Sequence, residues 1–335
     1  MKQLLVAFGT RPEFIKLKPV LNVLNEKKFP HKILFTNQHQ DILEDFDEDL
    51  SIDIRETENR LDSIVASVLR KEKLFLNIGA TLVQGDTASA FAVALASFHR
   101  QIPVIHLEAG LRTNKQTPFP EESYRRSISA LASIHLCPTQ VQKITLERES
   151  VFGSIHVVGN SVLDNLKDVK IEYSNEILVT MHRRENLDEL QNWFSEIDKL
   201  AKEFPQFEFV LPVHPNPLIK EKAKILKHVK VVKHMDHAEF ISRLARCKLV
   251  ITDSGGIQEE ASFLRKKGIV CRDDTERKEA LGKFFMLCPH PRNLREDFLK
   301  LKDDFIPRES DECPFGDGET SIKTYEIIKR LFKTL

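Results

Sequence analysis

The sequence predicts an α/β protein built on two doubly wound parallel sheets, and three observations predict it. Short apolar runs recur along the chain: "LLVAF" (4–8), "KILFT" (32–36), "ATLVQ" (80–84), "IPVIHL" (102–107), "IHLC" (134–137), "IHVV" (155–158), "EILVT" (176–180), "FEFVLPV" (207–213), "VKVV" (229–232), "KLVIT" (248–252) and "GIVC" (268–271). Between most of them lie segments with apolar residues near every third or fourth position, as in "ENLDELQNWFSEIDKLAKEF" (185–204), so strands alternate with helices and pair in parallel. The runs are continuous rather than alternating, as expected of strands covered on both faces. A polar stretch, "NSVLDNLKDVKIEYSNE" (160–176), interrupts the pattern and divides the runs about equally. That division favours two sheets over one closed barrel. With 335 residues the chain also exceeds one ordinary core.

Ligands of such sheets bind beyond the carboxyl ends of the strands, so the residues after each run are the ones to weigh. After 4–8 comes "GTRPEFIKLKPV" (9–20). Gly9 permits a tight turn, Thr10 can cap a helix and Pro12 suits its first turn, which leaves Arg11 and Lys16 near a helix start that favours anions. A capped helix with solvated basic residues explains this segment equally well. No G-x-G-x-x-G fingerprint is present. After 80–84, Asp86 stands where a strand yields to a helix, the place of a simple N-cap. After 102–107, Glu108 follows a buried strand directly, and a carboxylate there needs a partner or a raised pKa. Glu121 and Glu122 follow Pro120 and fit a first helical turn, where acids are favoured.

In the second half, His182 follows 176–180 with Arg183 and Arg184 beside it. A lone His is more often structural, but two neighbouring Arg point to phosphate. His214 lies in the Pro-bracketed turn "HPNP". The most specific local signal is "DSGGIQEEASFL" (253–264): a strand, then Ser254-Gly255-Gly256, then a helix. Free backbone N–H groups without a Cβ clash suit a pyrophosphate there. Glu259 and Glu260 follow too closely together to face one way, so one can serve a ribose while the other is structural. His234 and His237 have the spacing of one helix face but no third ligand, and no metal site is expected.

Fifty basic side chains balance fifty acidic ones. This excludes a dedicated basic binder of nucleic acid or membrane surface, though not a local phosphate site. The first ten residues lack the apolar length of a signal peptide, and no run approaches a membrane span. Five scattered cysteines read as reduced thiols of a cytoplasmic protein.

Taken together, "GTRPEFIKLKP", "QGDTASA", "HLEAGLRT", "PFPEESYRR", "GNSVLDNL", "VTMHRREN", "PVHPNP", "ITDSGGIQEEA", "RDDTERKEA" and "PFGDG" resemble the non-hydrolysing UDP-N-acetylglucosamine 2-epimerases over almost the whole chain. The resemblance implies a glycosyltransferase-B-like arrangement of two Rossmann-like domains with the active site in their cleft. Residues 1–165 with a returning helix 321–335 would form the sugar side, and residues 166–320 the UDP side. It implies a homodimer that interconverts UDP-GlcNAc and UDP-ManNAc with no cofactor, by eliminating UDP to 2-acetamidoglucal and re-adding it. Asp86, Glu108, Glu121 and His182 would then be catalytic. Arg11, Lys16, Arg112, His214, Ser254, Gly255, Gly256 and Glu260 would bind substrate.

Several positions depart from the family pattern. Met181 stands for Gly, Tyr124 for Asn and Lys278 for Pro, and a Gly beyond "HRREN" is missing. The chain is shorter than is usual, and residues 51–73 lack the "GQ" segment of the family's second, activating UDP-GlcNAc site, although "QHQDIL" (38–43) keeps its "QH". That speaks against activation at a second site. Other readings are an epimerase of UDP-2,3-diacetamido-2,3-dideoxyglucuronic acid, the hydrolysing branch, a glycosyltransferase, and a nucleotide-sugar sensor. A transferase would not need three clustered acids, and a sensor should have lost one.

Overall fold

The computed structural model describes residues 2–38, 49–54, 58–116 and 118–335. Most of "QHQDIL" therefore lies outside the described residues. The chain divides into two compact units, residues 1–165 with 316–335 and residues 166–315. Each is an all-parallel sheet with helices on both faces, as the apolar runs require.

In unit 1 the order along the chain is β1 (Gln3–Phe8), α1 (Arg11–Glu26), β2 (His31–Phe35), β3 (Leu50–Ser51), α2 (Arg60–Leu69), β4 (Ile78–Gln84), α3 (Ala88–His99), β5 (Val104–Leu107), α4 (Glu121–Leu131), β6 (Ile134–Cys137), α5 (Gln140–Arg148) and β7 (Ser154–Val157). The sheet order is β3-β2-β1-β4-β5-β6-β7. Alternation along β1 sorts its side chains: Leu4, Val6 and Phe8 enter the core beside α1, while Leu5 and Ala7 enter the opposite core beside α3.

Unit 2 runs β8 (Glu176–Thr180), α6 (Leu190–Glu203), β9 (Glu208–Pro212), α7 (Pro217–Lys222), β10 (Lys230–Val232), α8 (His237–Arg246), β11 (Leu249–Thr252), α9 (Gly255–Phe263), β12 (Lys267–Val270), β13 (Phe285–Leu287) and α10 (Leu294–Leu301). Its sheet order is β10-β9-β8-β11-β12-β13. Trp193, Phe194 and Ile197 of α6 and Phe298 of α10 bury against Ile177, Val179, Leu249, Ile251 and Ile269. Every apolar run quoted above became a strand. The short strand β3 carries too little apolar pattern to be seen in the sequence, whereas β13 lies in the apolar run "FFMLC" (284–288), which was passed over.

In both sheets the first strand is central and the chain winds outward on one side, then returns to fill the other. The switch points are therefore β1/β4 and β8/β11, the places where such folds bind ligands.

The last helix, α11 (Thr320–Phe332), belongs to unit 1 and packs on α1. The Asp164 carboxylate accepts the N–H groups of Thr320 (3.1 Å) and Ser321 (2.7 Å), so an anion closes the positive end of α11. Pro19 lies inside α1 and cannot donate to the Ile15 carbonyl. Asn165 Nδ2 donates to that carbonyl at 3.4 Å instead. Two residues of "GNSVLDNL" thus serve the helices of unit 1. No helix among the described residues is long and apolar enough to cross a membrane.

Candidate active site

The acids of unit 1 sit at the ends of β4 and β5. Glu108 takes a left-handed backbone, φ 67°, directly after β5. That conformation costs a non-glycine residue about 1–2 kcal/mol and persists only where surroundings dictate it. The surroundings are plain: Lys16 Nζ lies 2.6 and 2.7 Å from its two oxygens, and Gln84 Nε2 donates to Oε2. The carboxylate that needed a partner has a cation from α1 and an amide from β4. Below it, His106 is fully buried and donates Nε2–H to the Gly85 carbonyl at 2.7 Å. Burial pushes its pKa down to about 3, so this ring stays neutral and holds the β4 turn.

Asp86 is not the N-cap that its position suggested. Thr87 caps α3, its hydroxyl accepting from Ala90 N–H. Asp86 is left to pair with Arg125 of α4. Burial raises its pKa, Arg125 opposes that, and nearby Glu108 adds to it. Asp86, Arg125, Glu108 and Lys16 thus form one electrostatic set at adjoining strand ends.

Glu121 and Glu122 do begin α4, and they part company at once. Glu122 is buried and accepts from Thr113 N–H at 3.1 Å and Arg126 Nε at 2.9 Å, with Arg125 at 3.4 Å. It anchors the loop after β5. Glu121 Oε2 is buried with no hydrogen-bond partner among the described residues. Of the three expected acids, it is the one with an uncommitted buried oxygen. Arg11 is exposed on the first turn of α1. Arg112 is differently placed: its guanidinium is nearly buried and donates to Glu149 (2.9 and 2.7 Å) and Ser129 (3.0 Å), which makes it a scaffold of its own loop.

In unit 2 a buried carboxylate organises the switch point. Asp253, at the end of β11, accepts N–H groups from His182 (3.0 Å) and Arg183 (2.9 Å) and from Asn186 Nδ2 (3.2 Å). This fixes the loop after β8. His182 stacks on His214, with ring centroids 5.6 Å apart and planes at 12°. Burial lowers the pKa of His182 and Asp253 raises it. Asn216 N–H donates to His214 Nδ1 at 3.2 Å, so the neutral ring carries its proton on Nε2.

Ser254 caps α9 by position, but its side chain accepts from no helix N–H. The helix start therefore keeps a hydroxyl and backbone donors for an anion. A methyl on Gly256 would meet nothing within 4 Å, whereas one on Gly255 would lie 3.0 Å from Glu276 Oε1 and 3.1 Å from Arg277 Nη1. Glu259 and Glu260 face different ways. Glu259 is buried against Arg277 Nε at 2.8 Å, and Glu260 meets His237 Nε2 at 2.9 Å. Among the described residues no group of three His, Cys, Asp or Glu could hold a metal ion.

Sequence reasoning missed Gln84, Arg125 and Asp253, which hold the acids and His182, and it missed Glu13. The T-x-x-E spacing of Thr10 and Glu13 was a visible capping-box signal. Nothing local in the sequence marks Arg125 as the partner of a residue 39 positions away.

Fold and site define a class: a two-sheet Rossmann-type protein with an acid and cation set on one unit and a glycine-rich helix start on the other. The chain belongs to the UDP-N-acetylglucosamine 2-epimerase family, whose model matches residues 22–329. It is 37% identical over 367 residues to the UDP-N-acetylglucosamine 2-epimerase of Bacillus subtilis, covering 98% of this chain and 96% of that one. The crystal structure of the Neisseria meningitidis UDP-GlcNAc 2-epimerase bound to UDP-GlcNAc superposes with a TM-score of 0.85 at 31% identity, covering 98% of this chain and all of that one. A likeness to Acinetobacter baumannii MurG, TM-score 0.58 at 14% identity over 99% of this chain and all of that one, shows the two-domain fold alone.

Proposed function

We propose that this chain is a non-hydrolysing 2-epimerase that interconverts UDP-GlcNAc and UDP-ManNAc. The observation that carries the reading is the strand-end set of Asp86–Arg125 and Glu108–Lys16 in a chain of this family, with the Oε2 of Glu121 unpartnered among the described residues at the start of α4, the helix that carries Arg125. Elimination breaks the C2–H bond and gives its proton to a carboxylate of this set. The C–H electron pair forms the C1=C2 bond, and the C1–O pair leaves with UDP. Re-addition returns a proton to C2 from the opposite face. Lys16 and Arg125 pair with two of the carboxylates and orient them in a partly buried place.

The second unit supplies what a diphosphate needs. His182, Ser254 and the amides of Gly255 and Gly256 hold the anion, and Glu260 takes the ribose. The alternative sugars and the hydrolysing chemistry gain no support from the relatives. The reading includes a homodimer and a cytoplasmic location. Buried, unpaired Cys137, Cys247, Cys271 and Cys288 suit a reducing compartment.

The test is incubation with UDP-GlcNAc in D2O, followed by NMR. Deuterium at C2 with the total of UDP-sugar conserved is the expected result. Stoichiometric free UDP and ManNAc, or no exchange at C2, overturns it. Light scattering checks the dimer.

A further inference from the structure

Glu13 lies outside the acid set, yet it is the most enclosed carboxylate among the described residues of unit 1, only 2% exposed at the third position of α1. Its Oε2 accepts from Gly9 N–H at 3.0 Å and from the Thr10 hydroxyl at 2.7 Å. Its Oε1 accepts from the Thr87 hydroxyl at 2.7 Å. A capping box would explain the contacts to its own helix start. It does not explain Thr87, which caps a different helix, α3, 74 residues away.

The link spans the switch point. Glu13 and Thr10 flank Arg11 in the loop and helix start after β1, and Thr87 follows Asp86 after β4. Gly9 is also pressed against the start of α3 and the residue after β2: a methyl on it would lie 2.1 Å from Ser89 Oγ and 2.3 Å from Thr36 Oγ1. One buried carboxyl group therefore sets the spacing between the helix start that carries Arg11 and an acid assigned to proton transfer. Burial pushes the Glu13 pKa up to about 7, against the pull of the Thr87, Thr10 and Gly9 hydrogen bonds.

We propose that Glu13 is a positioning residue that couples the Arg11 loop to the Asp86 loop, so that the eliminated glycal and UDP are retained until the proton returns to C2. This rests on the epimerase reading above. Slackening the link lets elimination proceed while re-addition fails, and the unsaturated sugar escapes with UDP.

The experiment compares wild type, Glu13→Gln and Thr87→Val with UDP-GlcNAc in D2O, reading C2 deuteration, free UDP and glycal by NMR, with melting curves alongside. Both variants are expected to release glycal and UDP at several times the wild-type proportion per C2 exchange, while net epimerisation falls about tenfold. Thr87→Val cuts only the far link and answers the question if Glu13→Gln fails to fold. If exchange and net epimerisation fall equally, with the released proportion unchanged, Glu13 is merely structural and the proposal is overturned. A wild type that exchanges no C2 proton overturns the epimerase reading and this proposal with it.

Discussion

Lys16 Nζ sits 2.6 and 2.7 Å from the two oxygens of Glu108, joining α1 to the end of β5 across 92 residues of chain. The pair holds the side chain of a residue whose backbone is left-handed. Lys16→Met takes the cation away from that carboxylate, to which Gln84 Nε2 also donates. Stability should fall by about 1–3 kcal/mol, the cost of an undersatisfied buried group, measured as a shift in denaturation midpoint. Turnover should fall at least tenfold, because the acid is then no longer held in place by its cation. A variant with normal turnover would show that Lys16 is dispensable to the chemistry.

Arg125 opposes the burial that raises the Asp86 pKa. Removing the cation in Arg125→Met raises that pKa further. The limb of the pH–kcat/KM profile that reports Asp86 then moves to higher pH, and neutral-pH turnover drops. An unmoved profile would mean that Asp86 does not titrate in the reaction.

Gly255 and Gly256 make a controlled pair. Gly256→Ala meets nothing nearby, so the fold should be unharmed or stabilised by about 0.4–1 kcal/mol. Its methyl would stand at the helix start assigned to the diphosphate, and UDP affinity should fall about tenfold, read by calorimetry. Gly255→Ala instead pushes on Glu276 and Arg277 and should lower thermal stability as well. Unchanged UDP affinity in Gly256→Ala would remove the helix start from the binding site.

The raised Glu13 pKa also has a stability signature. The folded state holds its proton up to about pH 7, the unfolded chain only to about 4.5. The proton is bound more tightly in the fold, so this contribution is fully present below the unfolded value and is lost as pH rises through about 7. Across that window wild type should lose on the order of 3 kcal/mol relative to Glu13→Gln. Urea unfolding at pH 5 and pH 8 gives the difference directly, and parallel pH dependence of the two proteins would contradict it.

Much of this was legible in residue order. Continuous apolar runs announced the strands because a doubly covered sheet needs apolar side chains on both faces. The residues following those runs were the candidates because that is where a parallel sheet presents loops. On those grounds Glu108 lacked a bland explanation, whereas Asp86 read as an N-cap and Glu121 as a first-turn acid until the family resemblance singled them out. What stayed hidden is the pairing across elements. Arg125 looks like any surface basic residue of α4 until β4 brings Asp86 to it. The Thr87 cap, one residue beyond the expected position, was read as belonging to Asp86, because a local motif tolerates a shift of one residue. Asp253 was overlooked beside a conspicuous Ser-Gly-Gly, since its partners are backbone amides of a loop some 70 positions earlier.

The buried carboxylates at the two switch points carry a lesson for anyone recombining such enzymes. Glu13 binds residues 9–13 to Thr87, and Asp253 binds the 182–186 loop to the end of β11. Each pair of loops is one inheritable cassette, though its halves are far apart in the gene. A chimera that imports one half from a relative without the other places a foreign loop against a buried carboxyl group shaped for its former neighbour. Crossovers that transfer 9–13 together with 85–89, or 181–186 together with 252–256, should give active hybrids far more often than crossovers that split them.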